Sequence, residues 1–289
     1  MSPGFKVRHP LLDLEIAAEE GSRLKFHEEV LPNLLGKLTE VIRADGCIKH
    51  PIIADAKTHI ILDGMHRVAA VKNLHFRYIP VCFVDYSSDL VEIGRWYRMV
   101  TGSAENTLEI LISTMEKLGF TAEEKPFEQV SRLVEGRKAT LGLANWRKAF
   151  AVQGQKEATV KEAYDAVKLA ETQFKSRGFK VTYHTEQDAG EKIKLNRVTA
   201  MMMTPPVTKE EVVETVEKGQ LFAPKSTRHM FPVKFAFVNI PISWLSGELE
   251  LEEVNRRIVE HLAKRQIVHL ISRRKTSAGR YAPGVYVFK

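Results

Sequence analysis

Between residues 31 and 86 the spacing of apolar side chains switches back and forth between the helical and the strand period. Leu31, Leu34, Leu35, Leu38, Val41 and Ile42 recur at i, i+3, i+4, i+7, with Pro32 suited to a first helical turn and Gly46 just beyond the end, which predicts a helix from about 31 to 44. Ile52 to Ala54 and Ile60 to Leu62 are short apolar runs about a polar turn, the pattern of paired strands. MHRVAAVKNL then returns to the helical period, and YIPVCFVDY reads as a further strand. Such alternation specifies a compact α/β or α+β unit within the first hundred residues.

The pattern continues downstream. Helices are expected near 105 to 118, closed by Gly119, and from Pro126 to Glu135, closed by Gly136. LGLANWRKAFAV reads as two short strands about a turn at Asn145 and Trp146, Glu157 to Lys175 as a helix, and FKVTYHT as a strand. Met201 to Met203 run into Pro205 as the end of a buried strand. Thr208 and Glu211 form a capping box that opens a helix stopped by Gly219. From about 248, LEEVNRRIVEHLAKR is a helix, and IVHLISRRK, TSAG and YAPGVYVF suit a hairpin.

The full chain of 289 residues, 44% hydrophobic, is too long for a disulfide-stapled miniprotein and too apolar for a disordered tail. Its two cysteines, Cys47 and Cys82, form no CxxC, which excludes a cysteine-built zinc site and fits a reducing compartment. No apolar stretch approaches a membrane span, and MSPGFKVRHP lacks a secretory signal, so the expectation is a cytoplasmic protein. A formal charge of +7 favours anionic partners, phosphate-bearing ligands and nucleic acid alike.

Three segments carry candidate chemistry. In Ile-Leu-Asp63-Gly64-Met65-His66-Arg67 a strand turns into a helix whose opening N–H groups attract anions, with Arg67 as a forked cation. The alternative is structural: Asp63 caps the helix and pairs with Arg67. Lys225-Ser226-Thr227-Arg228-His229 gathers two cations, two hydroxyls and an imidazole, which suits phosphate oxygens or, equally, a solvated basic loop. Phe26-His27-Glu28-Glu29 offers a carboxylate that either caps the following helix or acts as a general base. His9, His50, His59 and His75 show no ligand spacing and read as surface or packing residues.

FHEE, the hairpin, LDGMHRVAAVKNL and IPVCFVDY together resemble the ParB/sulfiredoxin-like nucleotide-binding fold. The His27-Glu28 pair, Trp96-Tyr97 and the block TPPVTKEEVVETVEKGQLFAPKSTRHMFP narrow the resemblance to the free L-serine kinases of that superfamily, over about residues 10 to 245. Met65 departs from the family's DGHHR. The resemblance implies an α+β chain: a nucleotide-binding domain over 1–102 completed by 205–247, a second α+β lobe over 103–204, and a helix-hairpin extension over 248–289. It implies phosphoryl transfer from ATP or ADP to the hydroxyl of free L-serine, with Mg²⁺ as cofactor. Glu28 would be the base and Asp63 would hold substrate or the magnesium shell. Gly64, His66, Arg67, Lys225, Ser226, Thr227, Arg228 and His229 would bind nucleotide phosphates, and Trp96 and Tyr97 would line the serine side.

The competing reading is a ParB-like DNA-binding regulator, whose basic tail (Arg256, Arg257, Lys264, Arg265, Arg273, Arg274, Lys275, Arg280) would meet nucleic acid. A sulfiredoxin-type reductase would need a reactive cysteine where this chain has Asp63-Gly64-Met65-His66.

Overall fold

A computed structural model describes residues 4–10, 12–102, 106–154, 158–195, 199–270 and 284–289. The chain divides into two units, one of residues 1–92, 216–221 and 229–289, the other of residues 93–215 and 222–228.

The first unit is built on a five-stranded sheet, in the order Phe5–Arg8, Asp13–Glu20, Tyr78–Val84, Ile52–Asp55, Ile61–Asp63. Ile52–Asp55 and Ile61–Asp63 form the expected antiparallel pair. Ile52–Asp55 also pairs in parallel with Tyr78–Val84, and the helix Met65–Asn73 supplies the crossover that parallel pairing demands. Ile52, Ala54, Ile61, Val68 and Val81 are fully enclosed between sheet and helix. The helix Pro32–Asp45 begins with proline at its first turn and ends on Gly46, whose φ of +65° is the left-handed cap expected there. The sequence reading assigned no strands before residue 24, whereas Phe5–Arg8 and Asp13–Glu20 pair antiparallel and the latter docks on Tyr78–Val84.

Residues from 248 onward belong to this unit. The helix Leu251–Ala263 lies on the strand Asp13–Glu20, and Asn255 Oδ1 accepts the Ala18 N–H at 2.6 Å. Ile267–Leu270 pairs antiparallel with Gly284–Phe288, which pairs in parallel with Val233–Ala236. The TSAG turn falls outside the described residues.

The second unit carries a six-stranded antiparallel sheet in the order Lys180–His184, Tyr97–Thr101, Ala200–Met203, Leu141–Ala144, Ala149–Gln153, Thr121–Lys125. Tyr97–Thr101 lies inside that sheet, so the unit begins about ten residues before the expected boundary at 102. Met201, Met202 and Met203 are fully buried in it, as their pattern indicated. The hairpin at 141–153 turns at Asn145, whose Oδ1 accepts the N–H groups of Arg147 and Lys148 at 2.8 Å. Helices Thr107–Lys117, Phe127–Glu135, Val160–Ser176 and Glu186–Lys194 complete it. Thr208 and Glu211 close their capping box, at 2.9 and 3.2 Å, to start the helix Lys209–Glu217.

Candidate active site

In the first unit the FHEE segment runs beside the strand Ile61–Asp63. Lys25 exchanges backbone hydrogen bonds with His59 and Ile61 at 3.0 and 2.9 Å. His27 Nδ1 lies 2.7 Å from the Ile61 carbonyl, and Leu31 N–H donates to His66 Nε2 at 3.1 Å. Two motifs far apart in sequence are thereby stitched edge to edge. A carbonyl only accepts, so Nδ1 of His27 carries the proton; burial pulls the imidazole below its ordinary pKa, against the pull of Glu28, and the ring is neutral. Its Nε2 stands 3.8 Å from Glu28 Oε1. Both side chains are enclosed, and Glu28 is only 5% exposed.

Asp63 ends its strand facing two cations, Lys234 Nζ at 3.0 Å and Arg67 Nη2 at 3.5 Å from Oδ2. Burial alone would raise the Asp63 carboxyl, but Arg67, Lys234 and the nearby His229 outweigh it and hold the pKa below the usual carboxylate range. Of the structural alternative at this turn, the pairing with Arg67 is present, whereas no side chain caps the helix Met65–Asn73. Arg67 is largely committed to the fold: Nη1 donates to the carbonyls of His50 at 2.9 Å and Pro51 at 2.6 Å. Gly64 has φ +100°, and a Cβ there would meet Ile52 Cγ2 at 2.7 Å. His66 lends its Nε2 to the N-cap residue of the helix Pro32–Asp45. His229, 9% exposed, bonds through Nε2 to the Tyr86 hydroxyl at 2.8 Å and sits edge-on to His27, with centroids 5.1 Å apart. Glu28, Asp63, Gly64, His66, Arg67 and His229 thus occupy one region of the first unit, with Tyr86 and Lys234 added.

Within the second unit, Trp96 Nε1 donates to the Thr227 carbonyl at 3.0 Å, and Lys225 and Arg228 stand over the indole at 5.5 and 5.7 Å. Arg228 Nε is buried with no hydrogen-bond partner. Ser226 is fully buried and donates to Ala223 O at 2.7 Å, so its hydroxyl shapes the loop. Lys225 adopts φ +62°, a strained value for a side-chain-bearing residue. Arg98 holds this arrangement from below. It is 0% exposed and donates to Trp96 O at 2.8 Å and Pro224 O at 3.1 Å, while Nε faces Glu171 at 3.4 Å. Tyr97 points away from this group, into a core with Met99, Val130 and Met201. Burial pushes its phenol up to about 12 despite Arg95, whose Nη2 donates to it at 3.3 Å.

Lys234, Tyr86, Arg98 and Glu171 escaped the sequence reading. Lys234 and Tyr86 sit in ordinary strand and loop contexts with no local signal. Arg98 had one: a lone cation within the apolar strand Tyr97–Thr101 demands buried partners.

Among the described residues no group of three or more His, Cys, Asp or Glu side chains could hold a metal ion. Asp63, the expected magnesium ligand, is already balanced by one ammonium and one guanidinium group, so the residues present do not fit a resident Mg²⁺ at that carboxylate.

A strand–glycine turn–helix with fixed cations, beside an enclosed carboxylate, is an arrangement that can position an anionic ligand at a helix start. Known proteins bear out the narrower resemblance. An ATP-dependent L-serine kinase of Staphylothermus marinus is 28% identical over 243 residues, 82% of this chain and 93% of that protein. An ADP-dependent L-serine kinase of Thermococcus kodakarensis is 26% identical over 234 residues, 80% of this chain and 90% of that protein. A solved free serine kinase in complex with AMP shares the fold, with a TM-score of 0.68 at 24% identity, covering 80% of this chain and 93% of the other. No family profile matches the chain. Among the described residues no helix is long and apolar enough to cross a membrane.

Proposed function

We propose that this protein is a free L-serine kinase, which transfers a phosphoryl group from ATP or ADP to the serine hydroxyl and yields O-phospho-L-serine. The observation that carries the reading is the similarity to L-serine kinases over 80–82% of the chain, combined with an enclosed glutamate at the position those motifs require. As the serine oxygen bonds to phosphorus, Glu28 takes its proton and the nucleotide leaves with the electron pair of the broken P–O bond. His27 is fixed by its bond to the Ile61 carbonyl and lies beside Glu28, with Nε2 3.8 Å from Oε1.

Asp63 acts as an organising anion for Lys234 and Arg67, and the positive end of the helix Met65–Asn73 receives phosphate charge. His229 presents an imidazole fixed by Tyr86. In the second unit Lys225 and Arg228 are the anion ligands, for which the unpartnered Arg228 Nε offers a donor, and Trp96 fixes both. Free Cys47 and Cys82 suit the reducing cytoplasm, where we place the enzyme.

Three of the eight tail cations on which the DNA-binding reading rests are engaged within the fold. Arg256 is matched by Glu253 and Glu260, Arg257 by Glu253, and Arg265 donates to the carbonyls of Phe237, Val238 and Phe288. Arg273, Arg274, Lys275 and Arg280 lie outside the described residues. Incubation with L-serine and either ATP or ADP, followed by mass spectrometry for phosphoserine, tests the assignment and identifies the donor.

A further inference from the structure

A cavity of about 160 Å³ opens on the five-stranded sheet of the first unit, beside the helix Leu251–Ala263. Glu15, Ala17 and Glu19 line it from alternate positions of the strand Asp13–Glu20. Phe83, the cross-strand partner of Glu15, lines it from the neighbouring strand, and His59 and Arg23 close its polar side. None of the residues assigned to phosphoryl transfer takes part.

The fold uses some of the polar groups here, since Glu15 Oε1 accepts the Gly4 N–H and Asn255 Oδ1 the Ala18 N–H, but leaves others open. Glu19 is 2% exposed, and its Oε1 accepts the Glu20 N–H at 2.8 Å and Arg23 Nη1 at 3.3 Å. Its Oε2 faces His59 Nδ1 at 3.4 Å, out of line for a hydrogen bond, and that nitrogen is buried with no hydrogen-bond partner. The His59 ring stands edge-on to Phe83 with centroids 5.7 Å apart. His59 also adopts φ +60°, in the turn where its N–H donates to the Asp55 carbonyl at 3.0 Å. Two carboxylates against one guanidinium give the lining a negative excess, next to an aromatic face and an orphaned ring nitrogen. An ammonium group matches these features: it donates to the carboxylate oxygen and to the ring nitrogen Nδ1 of His59, and it is attracted by the Phe83 ring. The volume lies below the roughly 300–1,000 Å³ of drug-sized pockets, which restricts the occupant to a few heavy atoms.

We infer that this cavity is a binding site for a small primary ammonium compound, either a simple amine or the amino group of a free amino acid whose carboxylate would meet Arg23. The proposal is independent of the kinase reading.

Thermal unfolding of the full chain, in ethylammonium chloride, glycine or sodium chloride at matched ionic strength, tests it. Neither probe has a hydroxyl to phosphorylate. Ammonium binding raises Tm by about 5–10 °C at a hundredfold excess over Kd, while sodium chloride does not. A response to ethylammonium alone marks a simple amine site, and a response to glycine alone assigns the carboxylate to Arg23. Ala17→Leu fills the cavity, and His59→Asn removes the imidazole while tolerating the left-handed turn. Each abolishes the shift, and if one fails to fold the other decides. No shift with either probe, or a shift that persists in a folded variant, overturns the proposal.

Discussion

Lys234 Nζ stands 3.0 Å from Asp63 Oδ2, which ties the strand Val233–Ala236 to the turn that starts the helix Met65–Asn73. Because Arg67 and Lys234 hold the Asp63 carboxyl below its ordinary range, the cluster contributes stability above the unfolded-state value and loses it as pH falls through the lower folded-state value. In Lys234→Met one cation is gone, and the Asp63 carboxyl moves upward. Carbon-13 titration of the carboxyl is expected to show this, together with an acid limb of stability displaced to higher pH. An unchanged titration contradicts the pairing.

Gly64 is fixed by backbone and space together. At φ +100° any side chain is strained, and an added Cβ meets Ile52 Cγ2 at 2.7 Å and Arg67 Nη2 at 2.8 Å. Gly64→Ala is expected to destabilise by about 1–3 kcal/mol in urea unfolding and to displace Arg67. A stability within about 0.5 kcal/mol of the parent, the range of neutral surface changes, refutes the strained geometry.

His66 is read as a positioning residue through Leu31. Its Nε2 accepts the Leu31 N–H at 3.1 Å and so anchors the helix that follows Glu28 and Glu29. Gln at this position keeps an acceptor at similar reach, whereas Leu does not. His66→Leu is expected to lower kcat/KM and to speed amide exchange at Leu31, with His66→Gln restoring both. Equal effects of the two substitutions argue for direct phosphate contact instead.

Arg98 and Glu171 form a buried pair, with Arg98 fully enclosed. Removing one member leaves a charge without compensation, typically about 3–5 kcal/mol, and Lys175, 2.5 Å from Glu171, places the loss at the lower end. Arg98→Met is therefore expected to destabilise by about 3 kcal/mol. Arg98→Lys, which keeps the charge but loses the two carbonyl contacts at once, is expected to raise KM for nucleotide more than it lowers kcat. Unaltered KM in a folded Arg98→Lys enzyme contradicts a positioning role for this residue.

Much of this was legible in the amino-acid chain wherever local chemistry decides structure. Pro32 and Gly46 bracket a helix, Thr208 and Glu211 cap another, and Asn145 turns a hairpin, because each satisfies backbone groups within a few residues. The strand Asp13–Glu20 was hidden because the face of Leu14 and Ile16 continues only with Ala18, while Ala17 and Glu19 on the opposite face are buried as well, which blurs the alternation. Tyr97 was legible as part of a motif but not in its direction, since only the sheet register turns it into the core. Lys234 could not be found locally: its partner Asp63 lies 171 residues away, and tertiary folding alone brings the two together.

The account rests on Glu28 as the base that serves a serine hydroxyl. The most direct measurement is phosphoserine formation by the parent enzyme and by Glu28→Gln, at matched nucleotide occupancy, with ATP and with ADP. The expected result is O-phospho-L-serine from the parent with at least one donor, and a turnover lower by about 10²–10⁴-fold in Glu28→Gln while nucleotide binding is retained. No phosphoserine from the parent with either donor contradicts the kinase assignment, and full turnover in Glu28→Gln removes Glu28 from the chemistry.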